Sequence, residues 1–348
     1  MRRVATAALV GAALVLAGCS SSSSSTSSAS SDSTASSNSG GSPVTVRLGF
    51  LENITHAPAL VGLKEGFFTK ALGSAGTVKP TAFSTGTEET TALLAGQLDV
   101  AYVGPNPAIN AWQKSSGSAI KIISGAATGG ASLVVKKGIT AAGQLKGKTL
   151  ATPSLGNTQD VALRSYLKTN GITTNTTGGG DAFIKPTTPN SAAVLEFKSG
   201  QIAGGSEPAP YDVEMVQDGG TVLLSETGVT TIMVVTQSFL SAHPAVVADL
   251  LKAQVQANDY IKANPTTAQS VANDELTSFT GKPLKASVVA AAFKETTFTN
   301  DPDESSLQTD ATQAVSLGLL KPVKLDGIFD LGPLNTALAA AGESQISS

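Results

Sequence analysis

Gly96-Gln97-Leu98-Asp99-Val100-Ala101-Tyr102-Val103-Gly104-Pro105-Asn106-Pro107-Ala108-Ile109-Asn110 is the stretch from which the fold can be read. A helix closes on Gly96, a short apolar run follows from Leu98 to Val103, and a Gly-Pro-Asn-Pro turn reopens as helix. The order is strand, loop, helix. Pro107 suits a first helical position because it has no N–H to lose, and Asn106 before it can cap the free N–H groups of the next turn. Such a loop aims a helix N-terminus beyond the carboxyl end of the strand.

The same order recurs further along. A helix-like Ala192 to Ser199 leads to Gly200-Gln201-Ile202-Ala203-Gly204-Gly205, and Ser206-Glu207-Pro208-Ala209-Pro210 opens another helix. The stretches upstream match as well. Val46 to Leu51 passes through Glu52-Asn53-Ile54-Thr55-His56 into a helix, and Lys148 to Ala151 passes through Thr152-Pro153-Ser154-Leu155-Gly156-Asn157-Thr158 into another. Two similarly built α/β lobes explain the repetition, and open α/β lobes bind ligands at the carboxyl ends of their strands. Ala131 to Lys136 reads as a strand crossing to the second lobe and Thr230 to Thr236 as the strand returning. The expected lobes are therefore 44–130 plus 231–348, and 131–230, facing one cleft.

The chain of 348 residues is long enough for two modest cores. Its 23 basic and 26 acidic residues give a net charge of −3 with no basic block, which argues against a nucleic-acid partner. Two distant histidines, His56 and His243, argue against a metal site, and a single cysteine excludes an intrachain disulfide. Met1-Arg2-Arg3 followed by the apolar run Val4 to Leu16 has the pattern of an export signal over residues 1–18. The run is too short for a stable membrane span, which takes about 20 apolar residues. Leu16-Ala17-Gly18-Cys19 resembles the lipobox of bacterial lipoproteins, in which the cysteine is diacylated and becomes the mature N-terminus. Residues 19–43 are mostly Ser, Thr, Ala, Asn and Gly, too polar to offset the entropy of ordering, and read as a flexible tether.

No Gly-x-Ser-x-Gly elbow, His-Glu-x-x-His pair or Gly-x-Gly-x-x-Gly fingerprint occurs. Gly143-Gln144-Leu145-Lys146-Gly147-Lys148-Thr149 imitates a P-loop but has three residues between its glycines where four are needed, and it precedes a strand. No catalytic residue and no cofactor are expected. What the loops share is small polar residues at helix starts: Asn53, Thr55 and His56; Ser84, Thr85 and Gly86; Gly104 and Asn106; Ser154, Gly156, Asn157 and Thr158. Free N–H groups and the positive dipole end make each a potential anion receptor, although every α/β protein also caps its helices in this way. Glu88 and Glu89 in the first turn of the helix after Thr87 would complement its dipole. His56 reads equally as an anion donor or as a cap neighbour. Glu207 would lie at the cleft edge, facing a ligand ammonium or forming a salt bridge to the first lobe. Tyr102 and Trp112 read as core or rim, and Asn190 as the cap of the helix that follows it.

At Asn53-Ile54-Thr55-His56-Ala57-Pro58, Phe83 to Thr87, Gly96 to Asp99 with Gly104 to Ala108, Thr152 to Asp160, and Gly200 to Pro208, the chain resembles substrate-binding proteins of ABC importers in the nitrate, sulfonate and taurine-binding family. That resemblance covers about Val44 to Thr236 and implies the type II periplasmic-binding fold, two α/β lobes joined by two crossing strands. It implies a small anionic or zwitterionic ligand, a permease and ATPase complex as partner, a monomer, and a place on the outer face of a bacterial membrane through lipidated Cys19. The loops it assigns to the ligand carry Asn53, Thr55, His56, Thr85, Gly86, Gly104, Asn106, Asn157, Thr158 and Glu207. Relatives carry aromatic residues beside the Glu-Pro pair, whereas Gly205, Ser206 and Ala209 stand here, which leaves the ligand open. The alternatives are a pyrimidine-precursor-binding protein or a pyrimidine-forming enzyme of thiamine biosynthesis on the same fold, the enzyme being one that the lipobox and tether fit badly, and a ligand sensor that docks on a membrane receptor.

Overall fold

The computed structural model describes residues 42–347. The expected export signal, Cys19 and the tether as far as residue 41 lie outside the described residues. The strands are β1 (Val44–Leu51), β2 (Gly76–Phe83), β3 (Val100–Val103), β4 (Ile120–Gly129), β5 (Ala131–Val135), β6 (Thr149–Thr152), β7 (Phe183–Pro186), β8 (Gly204–Pro208), β9 (Thr221–Ser225), β10 (Val229–Thr236) and β11 (Thr296–Phe298). The helices are α1 (Ala57–Lys64), α2 (Phe67–Leu72), α3 (Gly86–Leu94), α4 (Pro105–Lys114), α5 (Thr158–Thr169), α6 (Asn190–Ser199), α7 (Tyr211–Gln217), α8 (Gln237–Ala242), α9 (Pro244–Ala263), α10 (Pro265–Thr280), α11 (Ala286–Glu295), α12 (Glu304–Ser316) and α13 (Gly332–Ala341).

The strands form two sheets, ordered β11-β4-β10-β3-β1-β2 and β7-β6-β8-β5-β9. In the first, β1 runs parallel to β2 and β3, and β10 runs antiparallel to β3 and β4. In the second, β6 runs parallel to β7 and β8, and β5 runs antiparallel to β8 and β9. The five-strand patterns superpose, β2-β1-β3-β10-β4 on β7-β6-β8-β5-β9, so the repeat in the sequence is a repeat of topology. The antiparallel strands are exchanged: β5 leaves the first sheet for the second, and β10 returns.

The recurring Gly-Gln pair has a local cause. Gly96 and Gly200 take φ of 69° and 81°, a left-handed conformation that costs glycine little. Each places the next amide on the carbonyl five residues back, Gln97 N to Ala92 O and Gln201 N to Glu196 O, both at 2.9 Å. That closes the helix and releases the chain into β3 or β8.

At the passage from β4 to β5, Gly129 and Gly130 have φ of 66° and 70°, and their amides donate to Gly228 O and Glu295 O. A Cβ on Gly130 would stand 2.3 Å from Thr296 Oγ1, so the first crossing is pinned where no side chain fits.

The buried face of β1 (Val46, Leu48, Phe50) shares one apolar cluster with Leu60, Phe68, Val247, Leu250 and Leu251, so α1, α2 and α9 cover the first sheet. Phe50 meets Phe279 of α10 edge-on, with centroids 4.9 Å apart. Tyr102 is buried and its hydroxyl bonds Gln254 Oε1, and Trp112 Nε1 donates to Lys324 O at 3.0 Å, which makes both framework residues.

Three local expectations need correction. Helix α4 begins at Pro105 with Gly104 at its N-cap, so Asn106 lies within the first turn and sends its amide to Asp310 O at 3.3 Å. Helix α6 has Pro189 at its N-cap and Asn190 as its first residue, without a side-chain cap bond. Glu89 of α3 is fully buried beneath Gly49 with no hydrogen-bond partner among the described residues. Burial pushes its carboxyl well above the ordinary range, so Glu88 is left as the charge beside the helix dipole.

The Glu89 acid keeps its proton in the folded chain over a pH range in which the unfolded chain has lost it. Its contribution is thus fully present at acid pH and is lost as pH rises toward the folded value. Urea midpoints are expected to fall from pH 5 to pH 8, and Glu89→Gln is expected to flatten that fall by up to about 1.4 kcal/mol per pH unit.

Candidate functional site

The carboxyl ends of six strands meet at one cleft. From the first sheet come Leu51, Asn53, Thr55 and His56 after β1, Ser84, Thr85 and Gly86 after β2, and Gly104 and Pro107 after β3. The second sheet supplies Pro153, Asn157, Thr158 and Gln159 after β6, Asn190 after β7, and Pro208 at the end of β8. Thr230, on β10, completes the wall. The cleft is shut. Its free volume is about 20 Å³, little more than one water needs. Thr87 Oγ1 lies 3.1 Å from Ser154 Oγ, Ile54 N donates to Ala209 O at 2.8 Å, and Tyr211 OH donates to Glu52 O at 2.7 Å, each contact joining the two sides.

Helix capping decides which donors remain. Thr85 Oγ1 accepts from Glu88 N, and Asn157 Oδ1 accepts from Asp160 N at 2.9 Å, so these side chains are committed to their own helices. The first amides of α3 (Gly86, Thr87) and of α5 (Thr158, Gln159) have no intrahelical acceptor. In α4, Pro105 and Pro107 carry no N–H, which leaves Asn106 N as the only free amide before Ala108, whose N–H reaches Gly104 O. Thr158 Oγ1 and Asn190 Oδ1 are buried without partners among the described residues.

Among the described residues the lining contains no Asp, Glu, Lys or Arg. His56 is buried, its Nδ1 accepts from Leu51 N at 3.2 Å, and burial lowers its pKa to about 3. It is a neutral imidazole with Nε2 left as the donor, so any attraction for an anion comes from backbone dipoles and hydroxyls. No group of three or more His, Cys, Asp or Glu able to hold a metal occurs among the described residues.

Asn53, Thr55, His56, Thr85, Gly86, Gly104, Asn157 and Thr158, all named from the sequence, stand together in this lining. Asn106 and Glu207 do not. Glu207 is paired with Ser132 between β8 and β5, is fully buried, and its carboxyl has neither a hydrogen-bond partner nor a salt bridge among the described residues. Burial and the neighbouring Asp212 push it well above the ordinary carboxylate range, so it is a neutral acid behind the wall. Sequence reading missed Gln159, Asn190 and Thr230. The repeat pointed to Asn190, since β7 corresponds to β2 and the loop after β2 supplies Ser84 and Thr85. For Thr230, on a crossing strand, there was no such signal.

The sequence profile of the NMT1-like family matches residues 39–274. The chain belongs to the NMT1-like family. No curated protein matches it. Solved structures share the fold of this NMT1-like chain. The alkanesulfonate-binding protein SsuA of Xanthomonas axonopodis pv. citri, bound to MOPS, is 15% identical with a TM-score of 0.70, over 84% of this chain and 100% of that one. The periplasmic nitrate-binding protein NrtA of Synechocystis is 15% identical with a TM-score of 0.72, over 86% and 89%. The periplasmic aliphatic sulphonate binding protein SsuA of Escherichia coli is 17% identical with a TM-score of 0.65, over 88% and 95%. The expected fold is therefore present: this NMT1-like chain has the periplasmic-binding-protein architecture.

Proposed function

We propose that the protein is the extracytoplasmic solute-binding component of an ABC importer, capturing a small oxyanion or zwitterion in the cleft without chemical change. The observation that carries this reading is the meeting of eight residues, chosen from sequence alone as helix-start donors, in one neutral lining fed by free amides of α3 and α5. Structures of like fold are named for binding sulfonates and nitrate. The two sheets with their helices act as lobes that part about the β4–β5 and β9–β10 crossings to admit solute and close over it. Closure is favoured by the difference in affinity between the two states, and the closed form is what a permease would engage.

Titration calorimetry with methanesulfonate, taurine, nitrate and sulfate tests the reading. Saturable heat with at least one is expected, and silence from all four overturns oxyanion capture. Lipidation at Cys19, part of the same proposal, requires the full-length chain to sediment with membranes and Cys19→Ala to be released. Sedimentation of both would refute it.

A further inference from the structure

A second groove lies on the other side of Thr158. It holds about 480 Å³ between α5 and α12 and is floored by Glu226, Thr227 and Gly228, which lead from β9 into β10. Two carboxyls open into it, Glu226 from the crossing and Asp310 from α12. No Lys, Arg or His among the described residues lines it. The cations of α5 are engaged elsewhere, Arg164 with Asp160 and Lys168 with Ser316 O. From α5 the groove receives only Tyr166 as a titratable group, and the N-cap Asp303 of α12 adds a further negative charge near Asp310. Asp310 Oδ2 has no partner among the described residues, and the Glu226 carboxylate is held by the Ser206 hydroxyl, at 3.5 Å, and by the Gln159 side chain, with no cation.

We propose that solute capture by this protein is coupled to proton uptake by the carboxyl pair Glu226 and Asp310, which the shut cleft brings into one groove without a counter-cation. Both acids are half-buried in the shut form, and parting α5 from α12 would hydrate them further and let them ionise separately. Closing returns them to a shared space where two like charges oppose each other. Burial pushes Glu226 up to about 7, and burial with Glu226 and Asp303 nearby pushes Asp310 well above its ordinary value, both in the direction this requires. Groups with raised carboxyl values in the closed form favour closure at low pH, and that advantage is lost as pH rises toward those values. The coupling has a short route to the cleft, because Thr158 lines both cavities and the Asn106 amide joins α4 to Asp310 O.

The inference rests on the capture reading for its solute but is also visible without one. With methanesulfonate as probe near about pH 6.5, binding heats should vary with buffer ionisation enthalpy with a slope near one proton taken up. Affinity should weaken by up to about tenfold per pH unit toward pH 8. Asp310→Asn should lower the slope, leaving only the part that burial of Glu226 supplies, and bind at pH 8 more tightly than the parent. A parent slope of zero, or an unchanged slope in Asp310→Asn, overturns the coupling. Should methanesulfonate give no heat at any pH, the capture reading fails for that probe, and small-angle scattering of the ligand-free protein decides the coupling. A radius of gyration that grows from pH 6 to pH 8 in the parent but not in Asp310→Asn supports it, and an unchanging radius refutes it. Urea melts establish that the variant is folded, with Glu226→Gln as its replacement if it is not.

Discussion

Gly104→Val is expected to weaken solute capture sharply while leaving the fold in place. Gly104 is the N-cap of α4 and has extended backbone angles, φ −68° and ψ 152°, that any residue adopts, so the substitution adds no backbone strain. What it adds is bulk against the opposite wall, since a Cβ there would stand 2.7 Å from Thr158 Oγ1 across the cleft. A side chain at Gly104 holds α5 off and denies the solute the Thr158 and Gln159 amides. Losing two hydrogen bonds to a charged ligand, ~3 kcal/mol, weakens binding by roughly a hundredfold. Calorimetry against the best oxyanion of the panel measures the loss, and a thermal melt within a few degrees of the parent shows that only closure was affected. Undiminished binding by Gly104→Val would remove the closure mechanism.

Arg164→Met is expected to cost about 3–5 kcal/mol of folding stability, because it strands a buried carboxylate. Arg164 and Asp160 are a turn apart on α5 and both are buried. Nε of the guanidinium donates to both Asp160 oxygens at 2.8 Å, and Nη1 donates to Asn175 O. Asp160 also accepts from Gly156 N at 2.7 Å and so ties the cleft loop to its own helix. Burial outweighs the guanidinium and holds the Asp160 carboxyl above its ordinary range, which marks the pair as a costly structure that tolerates removal of both partners better than of one. Urea unfolding of Arg164→Met, Asp160→Leu and the double variant forms a cycle. The double variant should recover much of the loss, and equal, additive losses would show that the two side chains act independently.

The parts of the site legible in the sequence were those written in local chemistry. Gly96 and Gly200 announce themselves because the helix terminator needs a left-handed residue, and Thr85 and Asn157 because a cap oxygen must precede free amides. What escaped depends on contacts far along the chain. Asn106 looks outward in the sequence, yet its amide is taken by Asp310, 204 residues away. Glu207 looks like a cleft carboxylate because it precedes Pro208, but β8 lies between β6 and β5 with both faces covered, and alternation turns Ser206 toward Glu226 and Glu207 toward Asp212. Both faces of a central strand are inside, so polarity in the sequence could not assign the direction.

The exchanged strands also set the order in which the molecule can be made. Until β10 emerges, β3 offers a row of bare amides and carbonyls on one side, and the strand that will cover them is encoded after the whole of β5 to β9. The first half cannot finish before the second, whose five strands β5 to β9 are contiguous in the chain, and contacts this distant in sequence slow its assembly. A newly synthesised chain therefore carries a finished second sheet inside an unfinished first one until Thr236 has been made.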